Sequence, residues 1–311
     1  MRVAVLDLGT NVFNMLLASF TKEECRYIKE FKCAAKLGGG GLASGLIAEE
    51  AFGTASAAME RIIAKIDECG GADAIIPYAT SAVRDAKNGG DFVALMKSRF
   101  GVDVRVIPGE REAEFIFKGI IQSLPEEARS SGENILMLDI GGGSNEFIIS
   151  NGKEILWKMS FPIGMARMRE RFNYSEPISV GVIEEFERYC NEVLEPLWRE
   201  VEIFKPRLFV GSSGSFDTFK DLMFGPEAEY MACRLLPADE LLGLHNRLLV
   251  STAEERLAMP RMSPIRVDYI VLASVFTQMI LRRIEPKAIY QSAYSLKEGA
   301  MAEHYQLWLN S

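Results

Sequence analysis

The sequence predicts an α/β protein built as two copies of one plan, with a cleft between them. Two observations carry this. Residues 3–18 read VAVLDLGTNVFNMLLA and residues 135–150 read ILMLDIGGGSNEFIIS; in both, an apolar run ends on an aspartate, breaks at glycine and resumes. A third alternating segment follows each hairpin, and then helical and strand patterns take turns. That order is the signature of helices layered on a mixed sheet.

The elements follow in order. Residues 2–8 and 12–20 read as strands joined by a tight Gly-Thr-Asn turn, and 25–33 alternates with period two as a third strand. The glycine-rich stretch 36–46 is loop. Residues 49–68 carry apolar positions at helical spacing, followed by a strand at 72–77, a helix near 88–99, a strand at 102–107 and a helix over 109–122. SLPEEARSSGEN (123–134) is polar and turn-rich and marks a boundary. This sets one domain at 1–123 and the other at 124–295, with a terminal helix near 296–311 packing back on the first. In the second half, strands are expected at 134–140, 145–150 and 154–160, and helices at 164–172 and 179–203. A short strand at 207–211 runs into SSGSF, and the remainder reads as mostly helical.

Bulk properties narrow the function. The 311 residues are 48% hydrophobic and 25% charged, enough material for two cores. The net charge of −8 argues against nucleic-acid binding through a broad basic face, and a polyanionic ligand would need a locally basic cleft. Cys25, Cys33, Cys69, Cys190 and Cys233 are scattered without CxxC spacing, which reads as reduced thiols in a cytoplasmic protein. The start, MRVAVLDLG, has four apolar residues before Asp7 and no small-residue cleavage site, so it does not read as a signal peptide. No apolar run is long enough to span a membrane.

The glycine turns carry the chemistry. Successive N–H groups in such a turn form a concave nest for an anion, phosphate above all. An aspartate beside that nest repels phosphate unless a divalent cation lies between them, so Asp7 and Asp139 are candidate Mg²⁺ (or Mn²⁺) ligands, directly or through water. Gly9, Thr10 and Asn11 in the first turn, and Gly141, Gly142, Gly143 and Ser144 in the second, are the candidate phosphate donors. A third cluster, GSSGS at 211–215, either adds donors from Ser213 and Gly214 at a helix N-terminus or is a serine-capped strand-to-helix turn.

Taken in order, DLGTN (7–11), ATSAVRDAKN (79–88), IPGEREAEFIFKG (107–119), DIGGGSNE (139–146), FPIGMARM (161–168), VGSSGS (210–215), SPIRVDYI (263–270) and YSLKEGA (294–300) resemble the exopolyphosphatase and guanosine pentaphosphate phosphohydrolase family (Ppx/GppA) across essentially the whole chain. The resemblance implies two actin-like (ribonuclease H-like) domains and Mg²⁺-dependent release of terminal phosphate from inorganic polyphosphate. The alternative within the family is conversion of guanosine pentaphosphate to tetraphosphate. It further implies that Glu112 activates the attacking water, with Glu110 the fallback, that Arg84 grips phosphate, and that Glu146 joins Asp139 and Asp7 at the metal. Arg84 lacks an acidic partner at helical spacing, since Lys87 and Asn88 occupy those positions and adjacent Asp85 is expected to face elsewhere. Arg266 and Asp268 match a family pair and are read as structural; His245 and His304 match no motif. Many members of the family form homodimers.

Two departures from the family pattern stand out. Val12 follows the first turn, and Asn145 follows GGGS, where relatives commonly place hydroxyl residues. The sequence reads as two domains where longer members carry additional helical ones, so a preference for shorter polyphosphate, or distributive action, is expected. Readings from other classes are an actin-like sugar or acetate kinase, and a catalytically silent phosphate or nucleotide sensor. The glutamates at 110–114 together with Arg84 speak for the hydrolase.

Overall fold

The computed structural model describes residues 1–41, 44–225 and 230–311; positions 42 and 43 of the glycine-rich loop, and 226–229, lie outside the described residues. The chain divides into two compact units, Met1–Gly119 with Ser295–Ser311, and Ile120–Tyr294.

The first unit opens with β1 (Arg2–Leu8), β2 (Val12–Phe20) and β3 (Cys25–Ala34), followed by α1 (Glu49–Glu68), β4 (Ala74–Ala79), α2 (Ser81–Arg84), α3 (Gly89–Phe100), β5 (Arg105–Val106) and α4 (Gly109–Ser123). Its sheet runs β3-β2-β1-β4-β5: an antiparallel meander, then β4 parallel to β1 and β5 parallel to β4. Val3 to Leu6 in central β1 are all buried, as a strand covered on both faces requires. Met59 and Ile62 of α1 and Phe92 and Met96 of α3 pack the same core as Leu6, Leu8 and Phe13. Two sequence expectations shift here. The strand at 102–107 contracts to two residues, and a short helix at 81–84 appears where none was read.

The second unit comprises α5 (Glu126–Arg129), β6 (Ile135–Ile140), β7 (Asn145–Ser150), β8 (Ile155–Phe161), α6 (Met165–Arg171), α7 (Val180–Val193), α8 (Glu195–Phe204), β9 (Leu208–Ser212), α9 (Ser213–Phe224), β10 (Cys233–Leu235), α10 (Ala238–Leu249), α11 (Ala253–Leu257), α12 (Ile270–Ile284) and β11 (Ala288–Ser292). Its sheet, β10-β11-β9-β6-β7-β8, repeats the first plan: the meander β8-β7-β6, then parallel β9 and β11, with antiparallel β10 added at the edge. Every residue of β6 and β7 is buried. The apolar helix α12 is buried along almost its whole length against Phe147, Phe186 and Phe219. Among the described residues, no helix is long and apolar enough to cross a membrane.

Three details of this unit go beyond the sequence reading. The helix read over 179–203 is two, because Pro196 lacks the N–H that an uninterrupted helix needs and instead sits in the first turn of α8. The boundary segment 123–134 contains α5 and lies within the second unit from Ile120 on. The C-terminal stretch is mostly helical, as read, and also contributes β10 and β11; at three and five residues they are too short for a clear alternation.

The chain returns to the first unit as α13 (Leu296–Leu309). A capping box between Ser295 and Glu298 starts it. The helix then passes α4 at very short range: a Cβ on Gly299 would stand 1.7 Å from the Phe115 carbonyl oxygen, and one on Gly119 would stand 2.1 Å from that of Ser295. Further along, Tyr78 Oη and His304 Nε2 are 2.7 Å apart, and Glu303 pairs with Arg111 and Lys118.

Candidate active site

In the first unit, Asp7, next to last in β1, stands opposite Asn14 on β2, whose Nδ2 donates to Asp7 Oδ2 at 2.8 Å. The turn between them is closed by Gly9 N donating to Val12 O at 3.2 Å. A side chain at Gly9 would put Cβ 2.9 Å from that same oxygen, so the turn is tight enough to demand glycine. The segment after β3 restrains the turn from behind. Gly38 N donates to Thr10 O (2.9 Å), and Ala35 N and Lys36 N donate to Asn11 O (2.9 and 3.0 Å). Because trans peptides are planar, this turns the N–H groups of Asn11 and Val12 to the opposite side. Asn11 is 8% exposed, and its Nδ2 finds no partner among the described residues. A buried donor left this way costs about 1–3 kcal/mol, so the turn favours a ligand that accepts hydrogen bonds.

Glu112 and Arg84 meet in the same unit. Arg84, at the end of α2, donates from Nη1 to Glu112 Oε2 at 2.8 Å and to Ile107 O at 3.1 Å. Contrary to the sequence reading, Asp85 does reach its neighbour: its Oδ1 lies 3.4 Å from Arg84 Nε, while its Oδ2 accepts from Ser81 Oγ at 2.8 Å. The three glutamates of α4 separate cleanly. Glu112 is 7% exposed, Glu110 is exposed, and Glu114 pairs with Arg111 at 2.7 Å. Helical period alone turns residues two apart to different faces.

In the second unit, Asp139 on β6 and Glu146 on β7 are direct register partners, 5% and 1% exposed. Four serine hydroxyls hold them. Ser212 Oγ and Ser213 Oγ donate to Asp139 Oδ2 (2.8 and 2.7 Å), and Ser144 Oγ and Ser160 Oγ donate to Glu146 Oε1 (2.7 Å each). Ser213 has a φ of 70°, a left-handed backbone that costs about 1–3 kcal/mol for a residue with a Cβ. The hydroxyls of Ser144 and Ser213 are thus bonded to carboxylates. Gly214 packs under Arg266, where a Cβ would meet Nη2 at 1.8 Å. Burial lowers the pKa of Arg266, opposed by Asp217 and Asp139.

The triple-glycine turn is restrained as its counterpart is, by the segment following the third strand. Met165 N donates to Gly141 O (2.9 Å), Ala166 N and Arg167 N to Gly142 O (2.9 and 3.2 Å), and Gly164 N and Arg167 Nε to Gly143 O (3.2 and 3.1 Å). All three carbonyls face α6, so the N–H groups of Gly142, Gly143 and Ser144 face away from it. Successive amides facing one way are the backbone arrangement that an anion nest requires. Asn145 is fully buried and donates from Nδ2 to Ile163 O at 2.9 Å, which ties the return strand to the restraining segment.

Among the described residues, no group of three or more His, Cys, Asp or Glu side chains gathers to hold a metal. The Asp139–Glu146 pair with its hydroxyls is nonetheless an all-oxygen donor set. It suits a hard cation that takes one or two carboxylates and keeps its waters, as Mg²⁺ or Mn²⁺ does. The two histidines lie elsewhere: His245 Nδ1 faces Ser274 Oγ at 3.1 Å, and His304 faces Tyr78. The five cysteines are free thiols, and burial pushes Cys25 up to about 11.

Sequence reasoning missed Asn14, Ser160, Ser212 and Arg167. One signal was available: Asn14 follows Asp7 at the same spacing by which Glu146 follows Asp139, so the repeat itself marks both positions. Ser160 on β8 gave no such signal, and Ser212 stood in the GSSGS cluster without its partner being readable, because only sheet order brings them alongside.

Comparison with known proteins agrees with this architecture. Exopolyphosphatase 2 of Mycobacterium tuberculosis is 29% identical over 299 residues, covering 92% of both chains. The crystal structure of an exopolyphosphatase from Cytophaga hutchinsonii matches with a TM-score of 0.93 at 35% identity, over 98% of each chain. A Ppx/GppA family member from Aquifex aeolicus matches with a TM-score of 0.78 over 99% of this chain and 98% of its own; at 22% identity it supports the actin-like α/β fold alone. Residues 17–307 match the model of the Ppx/GppA phosphatase family, and with its duplicated sheets and paired turns the chain belongs to that family.

Proposed function

We propose that this protein is an exopolyphosphatase that hydrolyses the terminal phosphate of inorganic polyphosphate and releases orthophosphate. The observation that carries the reading is the 2.8 Å pairing of Arg84 with buried Glu112. A carboxylate held next to a guanidinium suits hydrolysis, which needs a base for water and a cation for phosphate oxygens. A kinase has no use for a water-activating base. The exopolyphosphatases among the relatives support the same substrate.

Each group has a role. Gly142, Gly143 and Ser144 hold phosphate through backbone N–H groups, and Gly9, Thr10 and Asn11 do so from the first turn. Glu112 takes the proton of the attacking water. Arg84 forks onto the non-bridging oxygens, where its charge is most useful as negative charge redistributes in the transition state. Asp139 and Glu146 would hold Mg²⁺ or Mn²⁺, which when bound neutralises phosphate charge, and Asp7 is the corresponding candidate ligand of the first unit. Ser213 acts by orienting Asp139.

The test offers purified protein and Mg²⁺ short polyphosphate, long polyphosphate and guanosine pentaphosphate side by side, with Glu112→Gln as control. Phosphate release from polyphosphate that the substitution abolishes supports the proposal. Release from the guanosine nucleotide alone replaces it with the other activity of the family, and no release from any substrate sinks it.

A further inference from the structure

A three-glycine turn has no side chains with which to hold its own shape, and its backbone is the most permissive available. Something outside it must fix the direction of its amides before a phosphate arrives. Backbone donors of 164–166 supply part of this, but one side chain also reaches the loop. Arg167 donates from its backbone N to Gly142 O at 3.2 Å and from Nε to Gly143 O at 3.1 Å, so a single residue spans two of the three carbonyls. The carbonyl of Gly143 belongs to the same rigid peptide as the N–H of Ser144, so holding one aims the other.

Building on the proposed phosphate hydrolysis, we propose that Arg167 is a positioning residue for the phosphate nest, its Nε stapling the Gly143 peptide so that the Ser144 N–H is aimed at substrate. Only arginine does this. Its Nε is a donor partway along the side chain, so the carbonyl is held while the rest of the guanidinium keeps its charge beside the loop. Lysine carries the charge but has no donor at that point of the chain. Half-buried at the start of α6, Arg167 is also close enough to the nest to favour an anionic occupant.

The experiment separates the staple from the charge and from stability. Tripolyphosphate binding with Mg²⁺ is measured by calorimetry in a Glu112→Gln background, alone and combined with Arg167→Lys or Arg167→Met, together with the melting temperature of each unliganded protein. The expected result is a loss of affinity of roughly tenfold for Arg167→Lys, the scale of one hydrogen bond from a charged donor, and a larger loss for Arg167→Met. The unliganded melting temperature of the lysine variant should stay close to the parent's. A role in folding alone gives the reverse, a lowered melting temperature with affinity kept. Unchanged affinity in Arg167→Lys, with the wild-type enzyme still hydrolysing polyphosphate, overturns this inference and leaves the proposed function standing. A Glu112→Gln protein that binds no tripolyphosphate overturns both.

Discussion

Asp139 and Glu146 stand directly opposite each other on adjacent antiparallel strands, both almost fully buried, each with one oxygen held by two serine hydroxyls. Like charges in that relation destabilise a sheet. Glu146→Gln should therefore unfold no more easily than wild type in chelator, while losing the rise in melting temperature that Mg²⁺ gives the parent. Thermal melts with EDTA and with Mg²⁺ decide it; a variant that keeps its Mg²⁺ shift contradicts the assignment of this pair to the metal.

The Arg84–Glu112 pair predicts two different losses. Glu112→Gln keeps a hydrogen-bonding side chain beside Arg84, so the fold should hold while phosphate release falls about 10²–10⁴-fold, the usual worth of a general base. Arg84→Met leaves Glu112 buried without its 2.8 Å donor. It should cost about 1–3 kcal/mol in urea unfolding as well as activity.

Gly299 is where α13 comes closest to α4. A methyl there would lie 1.7 Å from the Phe115 carbonyl oxygen, a backbone atom that cannot swing aside. Gly299→Ala should cost at least about 1–3 kcal/mol, the usual range for overpacking, despite the better helix propensity of alanine. Urea midpoints test this, and Gly243→Ala on α10, where a Cβ meets nothing within 4 Å, is the control expected to be neutral or stabilising.

Buried His245 gives stability a pH dependence. Burial, and then Arg282, lower its pKa from 6.5 to about 4. The folded pKa lies below the unfolded one, so between those values the unfolded chain binds a proton that the folded chain does not. This contribution is complete above pH 6.5 and is lost as pH falls towards 4, the loss amounting to about 2 kcal/mol at pH 5. His304 shifts in the same direction through burial and Arg105, so His245→Gln should remove only part of the slope. Urea midpoints at pH 5 and pH 7 measure it; an unchanged difference between the two in His245→Gln would falsify the assignment.

Most of the strands and the long helices were legible because their signals are local. The meander β1–β2–β3 and helix α1 each carry an unbroken period, and the aspartate–glycine turns announce themselves by composition. The break near Leu194 was marked by Pro196, yet the apolar period continues across it and argued for one helix. Strands β10 and β11 were invisible because their stability comes from neighbours: β11 is paired on both sides, and β10 joins it through three residues.

By itself, the sequence determined the duplicated α/β plan, the two aspartate–glycine turns, and the acids and arginine proposed to serve them, because each is written in a short contiguous stretch. Tertiary structure decided what those groups touch. Arg84 finds Glu112 across the 28 positions between α2 and α4, Asp139 receives Ser212 and Ser213 from β9 and the start of α9, and the glycine carbonyls are turned towards α6. The reason is physical. Residue type and local period specify which backbone forms and which atoms can react, whereas hydrogen-bond partners distant in the chain are chosen by strand order and register, which only the packed sheet defines.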